Sequence, residues 1–182
     1  GTQTVNAGTS TITTTGTGAF VLNTTCVYSG ANATLAIAGN FTSAGTCTVG
    51  GTTTVGGNWT VSGTFTEGNN TVTLTGDCSL NHGSKKFYNL TIDASGKTVQ
   101  FVAGTINEIR NKLYCKAGTT KTTDKITPTG STTNNGTWVK IKGGQTSVTD
   151  KDLQIDAGAY LYTGLAFSFS VADAIGIGMG DL

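Results

Sequence analysis

The chain has 182 residues, enough for one sizeable domain or two small ones, and a formal net charge of +1. Its 27 glycines, single proline, two glutamates and abundant threonine argue against a helical protein, because glycine weakens helices and threonine fits a pleated sheet. Near-neutrality without a Lys/Arg stripe excludes a nucleic-acid footprint, and no run of 18 or more apolar residues exists to span a membrane as a helix.

From Gly1 to Thr66 there is no Asp, Glu, Lys, Arg or His; Glu67 is the first charged side chain after the amino terminus. A neutral third of the chain has no acid/base chemistry and no carboxylate ligands to offer. It stays soluble through hydroxyls, amides, attached sugar or burial against a partner. The start at Gly1, without Met or a signal-peptide pattern, fits a processed mature chain or a trimmed one. Residues 1–17 read as an extended strand with little core of its own, suited to pairing between subunits.

The strongest signal is an internal repeat. Gly39-Asn40-Phe41-Thr42-Ser43-Ala44-Gly45-Thr46-Cys47-Thr48-Val49-Gly50-Gly51 aligns, at an offset of 18, with the thirteen residues from Gly57 to Asn69, and seven of the thirteen are identical. Phe41 matches Trp59 and Cys47 matches Phe65, the pattern of two neighbouring rungs that share an interior. Thr71–Gly76 followed by Leu90–Ala94 is echoed by Thr137–Gly143 followed by Leu153–Ala157.

Within these segments the period is two: Val72 and Leu74 oppose Thr71, Thr73 and Thr75, and Leu90 and Ile92 oppose Thr91 and Asp93. Runs are short and end at Gly, Asn-Gly or Gly-Gly. Only Asn107–Lys116 admits a helical reading. The pattern predicts an all-β chain, a single domain over 1–182. A β-solenoid (parallel β-helix) is favoured by the repeat; a β-sandwich or jelly roll is the alternative.

Seven Asn-x-Thr sequons, at Asn23, Asn32, Asn40, Asn58, Asn69, Asn89 and Asn135, are candidate N-glycosylation sites; Asn in turns and Thr in strands would also generate them. Asn40 and Asn58, equivalent in the repeat, should be modified together or not at all. Cys26, Cys47, Cys78 and Cys115 match no zinc spacing, and are either two disulfides, with three connectivities open, or four small buried side chains.

Thr-x-Thr recurs at Thr2/Thr4, Thr11/Thr13/Thr15, Thr46/Thr48, Thr52/Thr54, Thr64/Thr66 and Thr71/Thr73/Thr75. Stacked, these would form hydroxyl and methyl ladders, an arrangement similar to solenoid ice-binding proteins, although outward threonine is also a common sheet covering. His82, the only histidine, lies in a polar, Gly-containing loop and reads as an exposed turn residue with no nucleophile elbow. Carboxylates are too sparse for polysaccharide cleavage. Asp150, Asp152 and Asp156 lack EF-hand spacing and read as a solvated turn. No catalytic residue, metal site or cofactor is expected. The tail from Leu165 to Leu182 is apolar and glycine-punctuated, a second segment for strand addition; packing of both ends onto their own domain is the competing reading.

The stretch Gly57–Thr66, then Thr71–Gly76, then Phe87-Tyr88-Asn89-Leu90-Thr91-Ile92, resembles the repeats of large secreted β-solenoid surface proteins and phage tail-fibre-like proteins, over residues 39–101. That resemblance implies adhesion, surface coating or virion attachment, at a cell or virion surface. The first expectation is therefore an extracellular structural protein that self-assembles into a filament or sheath, its partner being copies of itself. The alternative is a phage tail or adhesin-type module binding a surface glycan, with Trp138, Tyr160 and Tyr162 lining a groove; an ice-binding solenoid ranks after these.

Overall fold

The computed structural model describes residues 1–102 and 107–122, together with four strands at 125–128, 138–141, 153–155 and 160–163; side chains are described for 1–102, 109, 110 and 112–120. Short strands follow one another around a coil. The first coil contains β1 (Gln3–Asn6), β2 (Thr11–Thr13) and β3 (Phe20–Leu22), and the second β4 (Cys26–Gly30), β5 (Thr34–Ile37) and β6 (Phe41–Ser43). β7 (Thr46–Val49), β8 (Thr52–Val55) and β9 (Trp59–Val61) make the third, and β10 (Thr64–Thr66), β11 (Thr71–Leu74) and β12 (Cys78–Asn81) the fourth. The fifth is the continuous β13 (Lys86–Phe101). β14 (Asn107–Thr122) lies along it, and is followed by β15 (Lys125–Pro128), β16 (Trp138–Ile141), β17 (Leu153–Ile155) and β18 (Tyr160–Thr163).

Every strand pair among the described residues is parallel, and from β1 to β14 each joins one coil to the next, whereas β16 sits between β14 and β15. Three faces result. The first is β1-β4-β7-β10; the second is β2-β5-β8-β11, continued by Asn89–Ile92 of β13; the third is β3-β6-β9-β12, continued by Val99–Phe101. This is a β-solenoid of about five turns, and the hairpin pairing of a sandwich is absent from the described residues. The repeat falls where the sequence placed it: Phe41 pairs with Trp59 and Cys47 with Phe65.

Burial alternates along each strand because successive side chains point to opposite sides of a pleated sheet. Thr34-Leu35-Ala36-Ile37 and Thr71-Val72-Thr73-Leu74 each place the second and fourth residue inside. Apolar residues therefore stack on one another up the axis: Leu35, Thr53, Val72 and Leu90 in one column, and Ile37, Val55, Leu74 and Ile92 in the next. Thr53 is the mismatch, a buried hydroxyl without a hydrogen-bond partner in an aliphatic column.

The coils stack so closely that some corners exclude a side chain. A Cβ on Gly76 would run into the carbonyl of Gly56, and one on Gly56 into that of Ala38. Gly30 instead leaves room for the ring of Tyr28 on its own strand.

Two expectations need correction. Asn107–Lys116 is part of strand β14, with Ile109, Leu113 and Cys115 buried and the strand paired in parallel with β13, so no helix forms there. Residues 1–17 are not one extended strand, since β1 and β2 lie on different faces of the first coil, hydrogen-bonded to β4 and β5. The late echo holds in part. Leu153–Ile155 falls on the second face through Leu113–Cys115, as Leu90–Ile92 does, whereas Trp138–Ile141 pairs with Asn107–Ile109, away from the face that holds Thr71–Leu74. The tail 165–182 lies outside the described residues, as do Asn135, Asp150, Asp152 and Asp156.

Candidate functional site

His82 is fully buried, contrary to its reading as an exposed turn residue. It continues the inward phase of β12, two residues beyond Leu80 and four beyond Cys78, and that alternation was the available signal. Its ring stacks on Phe87 at 3.7 Å between centroids and meets the edge of Phe65 at 4.8 Å. Trp59 donates its indole N–H to His82 Nδ1 at 2.9 Å, which puts the neutral ring's own proton on Nε2, where no acceptor lies in hydrogen-bonding geometry.

Burial pushes the His82 pKa down to about 3; the Lys86 carbonyl opposes this only in part, and the charge on Lys85 adds to it. A ring held neutral inside an aromatic stack anchors packing and does not present a base to a substrate. Among the described residues no group of three or more His, Cys, Asp or Glu side chains is arranged to hold a metal ion.

All four cysteines are free thiols in the structure. Cys26 and Cys47 lie on the first face, Cys115 on the second and Cys78 on the third. On the first face Cys47 pairs with Tyr28, which leaves Cys26 out of register with it. Burial raises the pKa of Cys47 and of Cys78 to about 12 and that of Cys115 to about 11, so these thiols are unreactive. Only Cys26 is partly exposed. In the native protein a thiol-reactive dye should label one cysteine quickly, and all four only after denaturation. Fewer than four labelled without reductant would restore a disulfide.

Five sequon asparagines, Asn23, Asn32, Asn40, Asn58 and Asn69, are exposed between strands, as glycan acceptors must be. Asn89 differs: it is half-buried within β13, and its Nδ2, the atom a glycan would need, donates to Thr71 Oγ1 at 3.2 Å. Asn40 and Asn58 have a second role that sequence reading missed. Asn40 Oδ1 accepts from the Asn58 backbone N–H at 2.8 Å, and Asn58 Oδ1 accepts from that of Ser79 at 2.8 Å. Asp77 Oδ1 does the same for Thr98 at 2.9 Å. These side chains tie successive coils together at the corner before the third face, where the backbone turns out of the sheet ladder.

The aromatic residues expected to line one groove are divided. Trp138 begins β16, which pairs with the first part of β14, while Tyr160 and Tyr162 belong to β18, which pairs with its last part. The turn from one face to the next lies between them.

The open end of the first coil offers a different kind of site. Gln3 and Ala7 donate their backbone N–H groups to Thr25 and Ser29 in the second coil, so Thr4 and Asn6 turn theirs to the outer side. Phe20 bonds to Asn40 in the same way, which turns Val21 outward. No strand within the described residues pairs with the outer edges of β1, β2 and β3, and the large exposed apolar side chains among those residues, Val5 at 52% and Val21 at 61%, both lie on this coil. No family model, curated protein or solved structure matches the chain.

Proposed function

We propose that the chain is an extracellular structural protein that assembles into a surface filament or sheath by β-strand contacts between subunits. One observation carries the reading. The outer edge of the first coil has parallel-strand geometry on three faces and none of the devices that normally protect an edge. It has no lysine, proline or inward-pointing charge, and Val5 and Val21 lie exposed beside it. A second copy stacked on that edge would continue the ladders and cover Val5, which shares the inward column of Tyr28.

The fold changes how this is tested. Removal of residues 1–17 would uncover β4 and β5, an edge of the same chemistry, and so would not free small species. Proline at Thr4 and Val21 takes away outward N–H donors and leaves the bonds to the second coil in place. The intact chain is expected to sediment as a large species and to form filaments under negative stain. Thr4→Pro/Val21→Pro is expected to sediment as a monomer with an unchanged circular dichroism spectrum. A full chain that stays monomeric at high concentration rules the reading out.

A further inference from the structure

The second face carries two unbroken columns of short side chains on its outer side. Thr11 pairs with Thr34, Thr52 with Thr71, and Thr71 with Asn89; the register Leu35↔Thr53 sets Thr34 against Thr52. Beside that column run Thr13, Ala36, Thr54, Thr73 and Thr91, each paired with the next. From β2 to β13 there is no register shift; the irregularities begin between β13 and β14. The columns are therefore about 6.6 Å apart along the strands and repeat about every 4.8 Å across them, over about 19 Å.

The other faces lack this array. On the first, Val27 faces Thr46 and Ser29 faces Thr48, so hydroxyl and methyl do not repeat. On the third, short strands leave one column, in which Val21 precedes Thr42 and Thr60.

A threonine on a strand has a stiff χ1, so its methyl and hydroxyl are fixed relative to the backbone. The parallel ladders beneath fix the backbone in turn. The outer positions from Thr11 to Thr91 carry no charge and no aromatic ring. A sugar lattice would call for flat apolar platforms, which this face does not have until Tyr114. What it offers is a rigid two-dimensional grid in which eight of ten positions are threonine, with Ala36 and Asn89 the exceptions, so that hydroxyl and methyl groups recur on the scale of water molecules in a crystal. Each hydroxyl–water bond contributes little by itself, since liquid water offers the same bond. A preorganised grid gains because many such bonds form at once with no loss of side-chain freedom.

We infer that this face binds the surface of ice. The inference is independent of assembly, because stacking subunits along the axis would leave this lateral face uncovered. The test uses the full chain in a nanolitre osmometer, with ice-crystal shape and partition of labelled protein into a growing ice hemisphere as second readouts. The native chain should open a gap between melting and freezing points, facet the crystals and enter the ice. Thr54→Tyr and Thr73→Lys, at the centre of the grid, should lose most of the gap, while Thr48→Tyr on the first face should keep it. All three side chains point outward, and melting curves will show whether each variant is folded. A native chain with no gap and no entry into ice overturns the inference. So does an equal loss in Thr48→Tyr, or retention on crystalline cellulose with no effect on ice.

Discussion

Trp59→Ala is expected to lower the unfolding free energy by about 3–5 kcal/mol from the lost packing alone. Trp59 has no exposed surface and stacks on Phe41 with centroids 4.1 Å apart and planes 13° apart. Phe41 stacks in turn on Phe20 at 5.4 Å, so the three rings form one continuous pile through the first three coils. On the other side Trp59 meets the edge of Phe65 at 5.7 Å. Removing the indole opens a cavity between coils that a stiff parallel ladder cannot collapse around. It also strips His82 Nδ1 of its donor, a further cost of about 1–3 kcal/mol for a buried acceptor left alone. Against a typical stability of about 5–15 kcal/mol, the variant sits at the edge of folding. Trp59→Phe keeps a ring in the pile and loses the hydrogen bond, so its urea midpoint should lie between wild type and Trp59→Ala. Thr60→Ala, one residue along and pointing outward, should change stability by no more than about 0.5 kcal/mol. A midpoint for Trp59→Ala close to that of Thr60→Ala would mean that the ring pile does not hold the coils.

The part of this pile that was readable in the sequence is the part where coils have equal length. Phe41 and Trp59 lie 18 residues apart, and so do Cys47 and Phe65 and the pair Val72 and Leu90. Elsewhere the turns add residues: Phe20 precedes Phe41 by 21, Trp59 precedes Leu80 by 21, and Gln3 precedes Cys26 by 23. The strands still stack in register, because the ladder hydrogen bonds and the inward alternation fix the pairing and the turns absorb the difference. A fixed-period search cannot follow that. For the same reason the Thr-x-Thr pairs were visible but their grouping was not. Thr52/Thr54 and Thr71/Thr73 share a face, while Thr46/Thr48 and Thr64/Thr66 form another.

The candidate site was less legible than the fold. His82 sits in Asn81-His82-Gly83-Ser84, a polar string that reads as surface, and only its phase with Cys78 and Leu80 gives it away. The open first coil was legible in its missing charges. Its division into β1, β2 and β3 across three faces was not, because alternation there is weak and the outermost coil is mostly exposed.

Acid should destabilise this protein well before its carboxylates titrate, and His82 is the reason. In the unfolded chain its pKa is the ordinary 6.5; in the native stack it is about 3. Between those values the unfolded state holds a proton that the native state does not. Stability therefore rises with pH across the window: the contribution is fully present above pH 6.5 and is lost progressively as pH falls towards 3. The difference corresponds to a loss on the order of 5 kcal/mol across the whole window. Asp77 acts in the same direction lower down. The Thr98 backbone N–H and then the Lys97 charge hold its pKa below the ordinary 3.8, so its share is lost only in stronger acid. His82→Phe separates the two. It keeps a ring against Phe87 and Phe65 but has no group to protonate, so its unfolding free energy should stay flat through the upper half of the window while wild type falls. At neutral pH the variant gives up the Trp59 hydrogen bond and relieves the unpartnered Nε2–H, opposing changes of similar size. The measurement is urea unfolding at a series of pH values on both proteins. Parallel curves between neutrality and pH 5 would show that the native histidine takes up its proton as readily as a solvated one, and the closed aromatic stack around it would have to be abandoned.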